Sequence, residues 1–136
     1  MKVLLIYCKE FAYNPTIKTI SNADENISSA RYENVEVAFI QAELEDIPRE
    51  SEVITKLLKN IKWVCGKNQV KKVILHSFAH LSESKAEPDF TKILLNKVEE
   101  RLKNAGYEAA QTPFGYFLDL RVDAPGFSLA RIFKDI

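Results

Sequence analysis

The chain has 136 residues and a mass of 15.5 kDa, with 19 Lys plus Arg against 19 Asp plus Glu. A balanced charge disfavours the broad basic surface that tracks long stretches of nucleic-acid backbone, and is compatible with at most a local site for such a ligand. Cys8 and Cys65 have neither Cys-x-x-Cys spacing nor a nearby histidine pair, which excludes a zinc or thioredoxin-type centre and points to a reduced, cytoplasmic setting.

Taken in chain order, Met1 to Cys8 is a continuous aliphatic run, the pattern of a strand buried on both faces. No apolar run approaches the ~20 residues of a membrane helix. Phe11 to Ile20 and Ser28 to Ala42 flank the polar stretch Ser21 to Asn26, which reads as the tip of a long hairpin. After Pro48, apolar residues at Val53, Ile54, Leu57, Leu58, Ile61, Val64 and Cys65 recur at helical spacing and are expected to stop at Gly66. Val70 to His76 predicts another buried strand, followed by a polar loop to Glu87.

Pro88 opens a second predicted helix with the stripe Phe90, Ile93, Leu94, Val98, Leu102 and Ala105, closed by Gly106. Tyr107 to Gln111 and Gly115 to Val122 read as strands separated by Pro113, and Ser128 to Lys134 reads as a short terminal helix. A hairpin start interleaved with two crossover helices predicts an α/β fold built on a mixed sheet, organised as one domain over residues 1–136. There is no repeat, low-complexity tract or Gly/Ser linker to divide it.

Reactive groups are sparse. The two histidines, His76 and His80, lie in one segment, Leu75 to Ser82. His76 falls inside a buried strand and reads as a packing residue. His80 falls where the strand has ended and a polar loop begins, a favoured place for groups that meet ligands. Ser77, Ser82 and Ser84 lack a Gly-x-Ser-x-Gly elbow, and Cys8 reads as a small apolar filler. Lys56, Lys59, Lys62, Lys71 and Lys72 read as a solvated face, and Trp63 stands off the helix stripe.

Two stretches carry more. Phe78-Ala79-His80-Leu81-Ser82 and Thr112-Pro113-Phe114-Gly115-Tyr116-Phe117 resemble the two signature segments of the N-terminal editing domain of archaeal threonyl-tRNA synthetases. The start Met1 to Ile6 and the strand Val37 to Ile40 match at compatible spacing, so four blocks occur in order. The resemblance implies a D-aminoacyl-tRNA deacylase-like fold and hydrolysis of seryl-tRNA made in error by a threonine enzyme. Its partners would be the 3′ acceptor end of tRNA and the remainder of a synthetase, with a homodimer as the assembly and no cofactor or metal. A D-aminoacyl-tRNA deacylase and a non-hydrolysing acceptor-end binding module are the alternatives.

On matching positions the resemblance assigns the substrate pocket to Ala42, Ala79, Phe114, Tyr116 and Phe117, with His80 assisting catalysis. Small residues there let main-chain groups approach an ester closely. The sequence departs from the family pattern at Leu118, where the family has Lys, and at Arg131, where it has Glu. Tyr7 and Cys8 replace its usual His and Ser. Arg131, placed on the expected terminal helix, is the candidate to return a cation to the pocket.

Overall fold

The computed structural model describes all of residues 1–136. Eight principal elements follow one another: β1 (Lys2–Lys18), β2 (Ala30–Gln41), α1 (Glu50–Asn68), β3 (Lys72–Ser77), α2 (Pro88–Asn104), β4 (Glu108–Gln111), β5 (Tyr116–Asp123) and β6 (Arg131–Asp135). They form a six-stranded sheet of order β4-β3-β2-β1-β5, with β6 also paired to β1. The hairpin β1–β2 is antiparallel, whereas β2–β3 and β3–β4 are parallel and are joined through α1 and α2. Two successive crossovers in one direction place both helices on the same face, as a right-handed connection requires.

That face holds the larger core, in which Val3, Leu5, Ala38, Ile40 and Leu75 of the sheet meet Leu57, Ile61, Leu94 and Val98 of the helices. A smaller cluster on the other face joins Phe11, Tyr13, Val37, Phe39 and Ile74. The seven α1 residues picked out by helical spacing are all buried. In α2 the buried stripe is Thr91, Leu94, Leu95, Val98 and Leu102, so Leu95 takes the place expected of Ile93, which is 50% exposed. No helix is long and apolar enough to cross a membrane.

Three expectations are corrected. The first two predicted strands are one, because Lys9-Glu10 carries no turn chemistry and the chain stays extended through it. Glu10 pairs across to both Glu33 and Asp123, and its carboxylate binds Arg31 at 2.7 Å. Helix α1 does not stop at Gly66 but runs to Asn68. Gln69 ends it in the left-handed region at φ 57°, its N–H donating to Cys65 O.

The third correction bears on function. Ser128 to Lys134 is not a helix: one 3-10 turn, Ser128–Ala130, leads into β6. Strand β5 covers β1 only from Glu10 to Lys18, which leaves the edge of Lys2 to Ile6 open. β6 fills it, pairing Lys2 with Asp135 and Ile6 with Arg131. Unpaired backbone groups on a buried strand are costly, and satisfying them overrides a weak local helical preference.

Candidate active site

Where β2 and β3 end, the chain makes two sharp departures from the sheet. A cavity of about 340 Å³ opens between them and the start of β5. Ala42 lies just beyond β2, Ala79 and His80 just beyond β3, and Phe114, Tyr116 and Phe117 where the chain enters β5; all six line the cavity. Ala42 is 4% exposed and forms part of the floor, whereas Ala79 and His80 are exposed at the rim. Tyr116 is held by its hydroxyl, which donates to Asp24 O at 2.8 Å in the hairpin tip. Phe117 is 61% exposed at the mouth.

Gly115 allows this approach. It has φ 85°, and a Cβ there would lie 2.9 Å from the Cβ of Ala23. Its carbonyl accepts from Thr19 N–H at 2.7 Å, so the hairpin tip and the β5 wall are drawn together.

The other wall is polar. Phe78 N–H donates to Ile40 O at 2.9 Å, and Ala86 N–H donates to Ala42 O at 3.0 Å. Between these two anchors the amide of Gln41, 3% exposed, makes four bonds to the segment Leu81 to Ser84. The N–H groups of Ala79 and His80 are left without a partner in the chain, as a pair of adjacent donors at the rim. Ser82 Oγ donates to Glu43 at 2.6 Å and Ser84 Oγ to Glu45 at 2.8 Å, so neither serine is paired with a histidine.

His76 is buried and also reaches the cavity wall, its Nδ1 2.8 Å from Thr112 Oγ1. Burial lowers its pKa to about 4, so the ring is neutral near pH 7. His80 meets Phe78 edge to face with ring centroids 4.9 Å apart, and Phe78 in turn meets Phe39 at 5.2 Å, giving the rim histidine an aromatic support. Cys8 is fully buried, and desolvation pushes its thiol up to about 12, so it fills space and is no nucleophile. No group of three or more His, Cys, Asp or Glu residues is arranged to hold a metal.

Arg131 does not reach this cavity. As a residue of β6 paired with Ile6, it is exposed and donates to Pro125 O at 3.0 Å. The one Lys or Arg in the lining is Lys85, which has no ion-pair partner. Sequence reasoning missed both Lys85 and Gln41. A polar residue closing the buried run Val35 to Ile40 was the only signal available for Gln41. The lysines Lys56, Lys59, Lys62, Lys71 and Lys72 lie outside the lining.

Residues 1–136 match the family described as the archaea-specific editing domain of threonyl-tRNA synthetase. The chain belongs to this family. Among its relatives, the threonine–tRNA ligase of Pyrococcus horikoshii is 33% identical over 139 residues, that of Thermococcus kodakarensis 31% over 139, and that of Methanococcus aeolicus 28% over 136. Each comparison covers 100% of this chain and 22% of the relative, so the chain spans about a fifth of those proteins.

A solved structure titled c-Myc DNA Unwinding Element Binding Protein superposes on the editing domain with a TM-score of 0.74, covering 100% of this chain and 99% of its own. At 11% identity the likeness is one of fold alone. The mixed α/β architecture expected from the sequence is thus shown. In this editing domain Leu118 lines the cavity and adds apolar surface to it.

Proposed function

We propose that this editing domain proofreads tRNA for threonine by hydrolysing the ester of wrongly attached serine. The observation that carries the reading is a small cavity walled by Ala42 and Ala79, with two free N–H donors at Ala79 and His80 and no activated side-chain nucleophile. Serine differs from threonine by one methyl, and a pocket preferring the larger side chain gains only ~1–3 kcal/mol from that difference. A second site that admits the smaller side chain and crowds the larger one closes the gap.

The chemistry needs little. A water oxygen attacks the seryl carbonyl carbon, negative charge builds on the carbonyl oxygen, and the bond to the ribose 3′ oxygen breaks as that oxygen takes up a proton. Backbone donors aimed at the developing oxyanion act without reorganising, which suits a site built from main chain. The neighbouring 2′-hydroxyl of the terminal adenosine aligns the water, so the RNA takes part in its own hydrolysis. His80 lies at the rim where it can orient that hydroxyl, and Lys85 is the residue able to meet a terminal phosphate. The tRNA acceptor end is thus the partner, with the rest of a synthetase carrying the tRNA body.

Incubating the domain with seryl-tRNA and threonyl-tRNA, both of the threonine isoacceptor, tests this. The seryl ester should disappear on the order of 100-fold faster, as expected when one methyl must be crowded out rather than merely left uncontacted. A seryl-tRNA ending in 2′-deoxyadenosine should bind but react slowly. Equal rates on serine and threonine sink the sieve.

A further inference from the structure

We propose that Gln41 is the positioning residue of this site, setting the place of the Ala79–His80 donors through a clamp on the segment that follows them. Gln41 is the last residue of β2, and its side chain is almost wholly buried. Its Oε1 accepts from Leu81 N–H at 2.6 Å and from Ser82 N–H at 2.7 Å. Its Nε2 donates to Ser82 O at 2.7 Å and to Ser84 O at 3.0 Å. All four hydrogen-bonding positions of the amide are used, on three residues about forty positions away in sequence.

Only a primary amide can do this. Two donors on one end and a two-fold acceptor on the other match a backbone turn that presents N–H and C=O groups together. A carboxylate keeps the acceptor but faces two carbonyl oxygens with no proton to give, and a thioether offers neither. Without the clamp, the turn would be held by its anchors at Phe78 and Ala86, through Phe78 N–H to Ile40 O and Ala86 N–H to Ala42 O, and by the Ser82 and Ser84 hydroxyls on Glu43 and Glu45.

The clamp also selects which donors remain. By occupying Leu81 and Ser82 N–H, Gln41 leaves those of Ala79 and His80 as the adjacent pair free to meet substrate. A freed turn would let Leu81 and Ser82 N–H compete for the same carbonyl oxygen and move Ala79 out of place. Displacements of about 1 Å in a positioned group cost on the order of 100-fold in rate. Gln41 itself lines the cavity wall but acts through the turn, not on the reacting atoms.

The effect on rate rests on the deacylase reading above; the clamp itself does not. Gln41→Met and Gln41→Glu are compared with wild type in seryl-tRNA hydrolysis, alongside amide hydrogen exchange by NMR at Leu81 and Ser82. Gln41→Met should lower kcat about 100-fold with KM changed less than threefold, and Gln41→Glu, which keeps the acceptor, about tenfold. Leu81 and Ser82 amides should exchange at least 100-fold faster in Gln41→Met. An unchanged kcat in a folded variant overturns the proposal, as does a raised KM with kcat intact, which would make Gln41 a substrate contact. If Gln41→Met fails to fold, Gln41→Glu carries the same test. If wild type cleaves no aminoacyl ester, the deacylase reading fails and exchange alone decides: equal protection in variant and wild type overturns the clamp.

Discussion

Two buried carboxylates, one in the middle of strand β2 and one just past its cavity end, live in opposite circumstances. Glu43, just past the cavity end, meets the α-ammonium of Met1 at 2.6 Å, Lys2 at 3.4 Å and the Ser82 hydroxyl at 2.6 Å. Burial alone would raise its carboxyl, but the bonds from the ammonium and from Ser82 outweigh that and hold it at about 2. Glu36, seven residues back, has one partner, Asn68 Nδ2 at 3.0 Å, and its Oε2 is buried with none. Desolvation, only partly offset by Asn68, raises it to about 7. Glu36 is the more deeply buried and has the fewer partners, and both differences push the two carboxyls apart. The cavity end is a finished polar network, and the middle of the strand is a packing compromise.

Breaking the finished end should have the largest effect. Glu43→Gln removes the carboxylate that binds both cations and Ser82, and should lower stability by about 3 kcal/mol at pH 7, or a melting temperature by about 10 °C. Because the folded pKa lies below the ordinary value, this contribution is complete above pH 4.5 and is lost as pH falls toward 2. A thermal melt series from pH 7 to pH 3 reads it: the gap between wild type and variant should narrow as acid is added. A constant gap would mean that Glu43 acts by shape alone.

At Glu36 the sign reverses. Glu36 ionises near pH 4.5 when unfolded and near pH 7 when folded, so its favourable contribution is complete below pH 4.5 and declines as pH rises to about 7. Above that, wild type has lost about 3 kcal/mol relative to its acid value. Glu36→Gln keeps the acceptor for Asn68 and should make the protein about 2 kcal/mol more stable at pH 8, with little change at pH 4. Chemical denaturation at the two pH values measures this. A variant less stable than wild type at pH 8 would show that the orphaned oxygen has a partner in solution.

The smallest effects sharpen the same contrast in cations. Lys85 stands at the cavity, whereas Arg131 stands on β6 beside Ile6, which pairs on its other side with Val37, the neighbour of Glu36. Lys85→Ala should raise KM for seryl-tRNA about fivefold and flatten its dependence on salt, the signature of one lost phosphate contact. Arg131→Ala should leave both unchanged in the same steady-state assay. A loss of activity at Arg131 with none at Lys85 would invert the assignment.

Much of this was legible without coordinates. The α1 stripe from Val53 to Cys65 determines a buried helix face through spacing alone, and the Ala79–His80 and Phe114–Phe117 segments come together at the cavity to which their motifs point. Local patterns sufficed because each is written within a few turns or one loop. Strand β6 was hidden, because what makes Arg131 to Asp135 extended is the open edge of Lys2 to Ile6 at the other end of the chain. With it went the expected role of Arg131.

Length, balanced charge, the buried face of α1 and the family motifs are properties of the chain itself, and the sequence by itself determined them. Which cation reaches the cavity, which carboxylate is charged at neutral pH and which backbone donors remain free were decided only by tertiary structure. Each of those depends on partners far apart in the chain, as Glu36 is from Asn68, Gln41 from Leu81 and Arg131 from Ile6, and no local window contains both members of such a pair.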